Sequence, residues 1–365
     1  MFIRNIHSDL ILFIMLYGGA AMASLIACLY LLLRKGNAFA DGITSPLRLR
    51  YWAAAFFAIS FFGHIWWLLF YIYSDDINSV GSMVLSALDC VGLLTTIPGT
   101  LLAMLQDRKR SVWPIVTATI PYVVMLILNI VYHSGHFETI AIMYVMLLYV
   151  TFSIYMLFAV KQYGRWLRDN YADLEHKEVL LSQVLVIVIL LLIVTYSFDG
   201  GNITISYFVQ SAEIALFVFL LWRIETLPQL DNMPAEQQEQ VEQPTQQPLA
   251  ILSNIEQLLD KLCVATQLYL QHNLTLLQLA QTIGTNRFYL SQYFSRQGIT
   301  YNAYINNLRI NHFVKLYRDT TAAQKPISAH QMAHDSGYRS YSTFSLAFKQ
   351  RMGKSVTAWM HDTTQ

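Results

Sequence analysis

Seven apolar stretches dominate the first 223 residues and most constrain what this chain can fold into. Each approaches the length of about 20 apolar residues that a helix needs to cross a bilayer. They lie at roughly 10–33, 51–73, 80–105, 112–132, 138–160, 179–198 and 203–222. A chain with 55% hydrophobic and only 13% charged residues is not an ordinary soluble protein. The sequence therefore predicts a bundle of seven transmembrane helices, with six as the alternative count.

The positions of Lys and Arg predict how this bundle is oriented. Basic residues follow the first, third, fifth and seventh stretches: Arg34, Lys35, Arg48 and Arg50; Arg108, Lys109 and Arg110; Lys161, Arg165, Arg168 and Lys177; and Arg223. The intervening loops, SDDIN, HSGHFE and DGGN, contain neither Lys nor Arg. Because basic loops stay on the cytoplasmic side, the N-terminus is predicted outside and the C-terminus inside. Cleavage of the first stretch as a signal peptide would break this alternation, so we expect a retained anchor.

Composition changes abruptly after the last apolar stretch. Residues 224–248 include TLPQLDNMPAEQQEQVEQPTQQP, which is rich in Pro, Gln and acidic residues. Such a segment has too little apolar surface to offset its ordering entropy, which favours a disordered linker. The predicted organisation is a transmembrane domain over 1–223, a linker over 224–248 and a soluble domain over 249–365.

The soluble domain contains the same helical pattern twice. Each copy predicts a short helix, a turn with a glycine, at Gly284 or Gly337, and a second helix. Asn286 is the predicted N-cap of the second helix in the first copy. Inward-facing apolar pairs at i, i+4 spacing are Leu290 with Phe294 and Phe344 with Phe348. A long helix over about 300–318, with Tyr304, Leu308, His312 and Leu316 on one face, joins the copies. The predicted fold class is all-α, a seven-helix transmembrane bundle plus a double helix-turn-helix domain.

The soluble domain is also basic. Between 249 and 365 it has eleven Lys or Arg residues against five Asp or Glu, a net charge of +6. A basic surface of this kind attracts nucleic-acid phosphates, and its binding weakens as salt rises. Double-stranded DNA is therefore the predicted partner.

Residues 250–365 resemble the C-terminal domain of AraC/XylS-family transcription regulators, most closely over QMAHDSGYRSYSTFSLAFKQRMGKS. The resemblance implies that the second helix of each copy enters a major groove and that the two copies contact successive grooves. It also implies a bacterial transcription regulator, with RNA polymerase and a second copy of the chain as candidate partners. The chain departs from the family at Ser355-Val356, where Thr-Pro is usual, and at Met360, near a usual Arg.

Matching to the family assigns candidate DNA contacts in each recognition helix. The predicted base contacts are Phe288, Ser291 and Gln292 in the first copy, and Tyr341, Ser342, Ser345 and Leu346 in the second. Gln292 suits adenine, whereas Leu346 stands where the family often has Arg, so guanine readout is not expected there. The predicted phosphate contacts are Arg287, Arg339, Lys349 and Arg351. For Phe288 and Tyr341, packing within the domain is an equal alternative.

Three ionisable residues within the apolar stretches, His64, Asp89 and Glu213, are candidates for sensing a signal, because such residues are costly in lipid. The alternative, which the sequence favours slightly, is that they are neutralised and fix helix packing. No motif indicates an enzyme, a cofactor or a metal site. Cys28, Cys90 and Cys263 are far apart.

The inner loop QYGRWLRDNYADLEHKE follows the fifth stretch. We expect the helix to continue through it, with Arg168, Asp173, Glu175 and Lys177 on its solvated faces. A charged junction is the favoured interpretation, and contact with the DNA-binding domain is the alternative. The predicted function is a transcription regulator in the bacterial inner membrane that couples a membrane or extracytoplasmic signal to gene expression. The competing hypothesis is a passive anchor, with control exerted by a partner protein or by proteolysis.

Overall fold

The structure is a computed structural model that describes residues 8–364, except 41, 74–79, 133–134, 176, most of 181–202, 231–247, 325 and 327. The described residues form helices and no strand apart from one isolated bridge. The chain divides into two compact domains. The apolar domain comprises Met1–Lys161 and Val179–Asp231, and the C-terminal domain comprises Gln162–Glu178 and Asn232–Gln365. The inner loop thus belongs to the C-terminal domain.

Seven described helices lie wholly or mainly in the apolar domain. They are α1 (Ser8–Leu33), α2 (Leu47–Tyr73), α3 (Val80–Ala103), α4 (Trp113–Ala118), α5 (Ile120–Tyr132), α6 (Gly135–Asn170) and α7 (Ile203–Thr226). By length and composition these provide six helical segments that could cross a membrane, with α4 and α5 together forming one. The sixth predicted stretch, 179–198, lies for the most part outside the described residues. The break between α4 and α5 falls just before Pro121, whose ring disfavours an uninterrupted helix.

Helix α3 runs without interruption through Pro98 and Gly99. Gly99 permits close packing against α2, because a methyl group there would lie 2.3 Å from the Trp52 ring. The Trp52 ring of α2 therefore packs directly against α3 at Gly99, where a larger residue would displace it.

The last apolar helix extends beyond the predicted start of the linker at residue 224. Glu225 is fully buried and pairs with Arg34 at 2.9 Å. The residues that follow also form hydrogen bonds. The Gln229 backbone amide donates to Thr44 O, and the Gln106 side-chain amide donates to Pro228 O. The ordered chain of the apolar domain therefore continues to residue 230. The rest of the predicted linker, 231–247, lies outside the described residues.

The C-terminal domain contains seven further helices: α8 (Pro248–Leu259), α9 (Leu276–Thr282), α10 (Arg287–Arg296), α11 (Tyr301–Ala322), α12 (Ala329–Asp335), α13 (Tyr341–Met352) and α14 (Val356–Thr364). Helices α9 and α10 form the first helix-turn-helix unit, and α12 and α13 form the second. Each unit has its own apolar core, and α11 contributes residues to both. Leu290, Phe294, Phe344 and Phe348 are buried, as predicted.

The most deeply buried stripe of α11 lies one position away from the apolar face seen in the sequence. Tyr304, Leu308, His312 and Leu316 are half-buried. Tyr304 and Leu308 pack against the core of the first unit, and Leu316 packs against that of the second. The fully buried residues of the helix include Tyr301, Ile305, Arg309, Phe313 and Tyr317. Burial of an arginine gives no apolar signal in the sequence.

The inner loop packs on the C-terminal domain, in contrast to the favoured interpretation as a charged junction. Helix α6 ends at Asn170 and is followed by residues 171–175 and 177, here called the docking segment. Tyr171 forms a bridge with Thr275, and Ala172 is buried in the core of the first helix-turn-helix unit. The Asn302 side-chain amide donates to Tyr171 O at 3.2 Å and to Ala172 O at 2.7 Å. Asp173, predicted to be solvated, is buried.

Candidate functional site

The two recognition helices, α10 and α13, begin in the same way. Asn286 caps α10 by accepting from the Tyr289 amide at 2.9 Å, and Ser340 caps α13 by accepting from the Thr343 amide at 3.3 Å. The turns before them contain Gly284 and Gly337, with φ of 74° and 89°. Glycine adopts such positive φ without steric cost. The sequence prediction of a glycine turn and of the Asn286 cap is confirmed.

In α10 the predicted base contacts differ in accessibility. The Phe288 side chain is 54% exposed, which favours groove contact over packing. Ser291 and Gln292 are half-buried. The Gln292 side-chain oxygen is buried and has no hydrogen-bond partner among the described residues. Gln292 thus retains an acceptor that is not used within the domain.

In α13 the predicted base contacts also differ in exposure. Leu346 is 61% exposed and Ser342 is exposed, whereas Ser345 is half-buried. Tyr341 stacks on His330, with ring centroids 3.9 Å apart, and also contacts Phe344. Tyr341 is therefore engaged within the domain, and packing is the better description of its role.

The predicted phosphate contacts lie at the ends of the recognition helices. Arg339, Lys349 and Arg351 are exposed, and Arg351 donates to the Asn311 side chain at 3.0 Å. Arg287, the first residue of α10, is half-buried, and desolvation lowers its pKa from the usual value. Three of the four are thus freely accessible to a phosphate, and Arg287 is the exception.

Arg309 is an important residue that sequence reasoning misassigned to the basic surface. Its side chain is 1% exposed, and it donates to Tyr269 O and Gln271 O, both at 2.7 Å. The guanidinium also lies 5.5 Å from the centre of the Tyr338 ring. Arg309 therefore joins the chain that precedes the first helix-turn-helix unit to the turn of the second unit. Because it is buried, it cannot reach a phosphate. Its spacing within the buried stripe of α11 is the one sequence signal that could have revealed this.

The docking segment lies beside the N-terminal ends of both recognition helices. Tyr171 is near Arg287, which begins α10. The Thr343 hydroxyl, near the start of α13, is 3.5 Å from Glu175 Oε2. Lys177 is close enough to Arg339 for charge repulsion. The pKa of Lys177 is lowered, mainly by burial. Recognition helices read bases with their N-terminal residues, so the segment lies where DNA is expected to approach.

In the apolar domain the structure brings together the three ionisable residues that the sequence singled out. His64, Asp89 and Glu213 line one cavity of about 190 Å³. His64 Nε2 is 3.5 Å from Glu213 Oε2, and Asp89 Oδ2 accepts from Trp67 Nε1 at 2.6 Å. Because they come from three different helices, the distances between them could not be inferred from the sequence.

The remaining polar groups provide no metal site among the described residues. No cluster of three His, Cys, Asp or Glu side chains there could hold an ion. The three cysteines are unpaired, and burial raises the pKa of Cys263 to about 11, which keeps this thiol protonated.

The comparison with known families identifies the C-terminal domain. Residues 279–362 match the model of a helix-turn-helix domain of AraC type. This range includes both recognition helices and the two helices between them, but less than a quarter of the chain. No curated protein and no solved structure is significantly similar to the chain.

Proposed function

From an AraC-type helix-turn-helix domain joined to apolar helices, we propose a membrane-bound, sequence-specific DNA-binding transcription regulator. The observation that carries the proposal is the pair of capped recognition helices with exposed residues on their outer faces. The N-terminus lies outside the bacterial inner membrane, and the DNA-binding domain lies in the cytoplasm. A second copy of the chain and RNA polymerase are its protein partners, as is usual for regulators that contact DNA near a promoter.

Chromatin immunoprecipitation of the full-length protein tests DNA recognition in the cell. We expect discrete enriched sites for the wild type and their loss in Phe288→Ala/Gln292→Ala, which removes contacts from the first recognition helix. The matched control, Gln281→Ala/Gln297→Ala, changes two exposed polar residues of the same helix-turn-helix unit and should keep the sites. A wild-type profile without enrichment contradicts the proposal.

The membrane part conveys a signal to the DNA-binding domain through the docking segment. Three contacts support this route: the bridge to Thr275, the burial of Ala172 and the two hydrogen bonds from Asn302. In the chain the segment directly follows α6, a helix long and apolar enough to cross a membrane. A change at the end of α6 therefore reaches the DNA-binding domain without passing through residues 231–247.

The segment and DNA compete for the same surface. Glu175 places a carboxylate near the start of α13, where a phosphate would be repelled. We expect Asn302→Ala, which removes both side-chain hydrogen bonds to the segment, to increase DNA occupancy in the absence of a signal. Asn307→Ala, on the same helix, is the control.

The same pair of variants separates signal coupling from a passive anchor. A passive anchor predicts that Asn302→Ala and Asn307→Ala give the same reporter output, because the segment then has no regulatory role. Control by proteolysis predicts a shortened, DNA-bound product, which immunoblotting of the tagged protein would detect. An intact protein with altered output in Asn302→Ala alone supports coupling through the segment.

A further inference from the structure

The cavity in the apolar domain lies at one depth in the bundle. Tyr17 and Asp89 are nine residues from the starts of α1 and α3, and His64 is nine residues from the end of α2. Glu213 is ten residues from the start of α7. At 1.5 Å per residue, each lies about 14 Å from the helix end that the sequence predicts to face outside. This depth is close to the middle of a hydrocarbon core of about 30 Å.

The charges that line the cavity are unbalanced. His64 Nδ1 is 2.7 Å from Ser60 O, so this nitrogen carries a hydrogen. Because Nε2 faces the Glu213 carboxylate, the arrangement favours a second hydrogen there and an imidazolium that pairs with Glu213. His64 is then the only cationic side chain among the lining residues, so Asp89 and Glu213 share one positive charge, and Asp89 also accepts the Trp67 indole N–H. An uncompensated carboxylate at this depth is costly.

A second, independent feature points to a missing donor. Gln210 lines the same cavity and its side chain is 8% exposed. Its side-chain oxygen lies close to the His64 ring but meets no donor at hydrogen-bond geometry among the described residues. Buried polar atoms are normally satisfied, so an unused acceptor beside two carboxylates indicates that a hydrogen-bond donor is expected there.

The approach of α2 to Asp89 is also specific. A methyl group at Gly63 would lie 2.6 Å from Asp89 Oδ1, so only glycine allows the carboxylate this position. Aromatic residues form a large part of the remaining wall: Tyr17, Phe56, Trp67 and Phe217. Carboxylates combined with aromatic faces bind organic cations through ion pairing and cation–π attraction.

Size restricts the ligand further. The cavity volume of about 190 Å³ is below the range of about 300–1,000 Å³ that drug-sized ligands occupy. It exceeds the cavity of about 150 Å³ that accommodates benzene in an engineered protein. A ligand of this size has room for one small apolar group and one charged group.

We infer that this cavity binds a small organic ammonium compound, with Asp89 and Glu213 as the carboxylates that receive it. The Gln210 oxygen accepts one of its N–H groups, and the aromatic walls contact its apolar part. Binding of this compound does not depend on DNA recognition. Only the further step, that the compound is the signal, rests on the proposed function.

Binding is tested with the full-length protein in lipid nanodiscs by isothermal titration. The probes are benzylammonium and benzyl alcohol, which have the same number of heavy atoms and differ in charge. We expect saturable binding of benzylammonium and at least about tenfold weaker binding of benzyl alcohol, the factor that about 1.4 kcal/mol gives. The isosteric variants Asp89→Asn and Glu213→Gln should each weaken benzylammonium binding by a similar factor.

The control variant is Glu138→Gln, which removes an exposed carboxylate of the same domain outside the cavity. It should bind benzylammonium like the wild type, and thermal unfolding of all variants checks that they are folded. Equal affinity for the two probes, undiminished binding in both cavity variants, or no saturable binding of benzylammonium overturns the inference. The last result is expected if a protonated carboxyl group neutralises the cluster.

The proposed function fails by different measurements. If benzylammonium does not bind while the wild type still occupies discrete DNA sites, only the ligand inference is wrong. If benzylammonium binds but leaves DNA occupancy unchanged, the cavity binds ammonium compounds without being the signal input. If the wild type occupies no DNA sites, the regulator proposal is wrong even where the cavity binds its probe.

Discussion

The two helix-turn-helix units have the same local design but different tertiary surroundings. Both have a capped recognition helix, a glycine turn and an inward pair at i, i+4 spacing. Gly284 faces open space, whereas a methyl group at Gly337 would meet the Leu270 backbone at 2.8 Å. Arg309 also packs against this second turn. The first turn, at Gly284, is therefore held by its own backbone conformation alone, whereas neighbouring groups also hold the second turn, at Gly337.

Removal of Arg309 should have the largest effect. Arg309→Met removes the charge-assisted hydrogen bonds to the carbonyl groups of Tyr269 and Gln271, at an expected cost of about 3–5 kcal/mol. Arg296→Met, at an exposed arginine of α10, should change stability by less than about 0.5 kcal/mol. Urea-dependent pulse proteolysis of the full-length protein measures both. Equal stability of the two variants would show that Arg309 does not join the two units.

The glycine turns give the next largest effect and the most direct comparison. Gly337→Ala combines a left-handed backbone with a clash against Leu270, and should destabilise by about 2–4 kcal/mol. Gly284→Ala introduces only the backbone strain, of about 1–2 kcal/mol. The same proteolysis measurement compares them. If the two variants are equally destabilised, the packing of the second turn contributes nothing.

Two aromatic residues near the starts of the recognition helices should respond in opposite ways. Phe288→Ala should weaken binding to a DNA site enriched by immunoprecipitation by about 1–2 kcal/mol, since an exposed side chain in the groove is lost, with little change in stability. Tyr341→Ala should instead lower stability by about 1–3 kcal/mol, because Tyr341 packs on His330 and Phe344. Fluorescence anisotropy with labelled duplex and the unfolding measurement together decide this. The reverse pattern would exchange the two roles.

The smallest expected effect concerns a phosphate contact. Lys349→Ala should reduce the slope of log affinity against log salt by about 0.9, the value for one phosphate, with no change in sequence preference. Lys354 is the control because it already pairs with Asp362 at 2.8 Å. Lys354→Ala should leave the slope unchanged. A change in sequence preference in Lys349→Ala would place this residue at a base.

Much of the helix-turn-helix domain followed from the sequence. The glycine turns, the Asn286 cap and the inward residues Leu290 and Phe344 depend on local conformation and on short-range spacing, which a sequence displays directly. Apolar stretches long enough for membrane helices were also visible, because length and hydropathy suffice to recognise them. The most deeply buried stripe of α11 was not identified from the sequence, since stripes with the same spacing could not be separated without the packing partners.

The repeated helix-turn-helix pattern and the presence of long apolar helices were thus determined by the sequence alone, because each depends on residues near one another in the chain. Only the tertiary structure decided that Arg309 is buried rather than on a basic surface. It also decided that the docking segment packs beside the recognition helices, and that His64, Asp89 and Glu213 line one cavity. The physical reason is the same in each case: these contacts join residues far apart in sequence, and no local pattern records which distant group a side chain will meet.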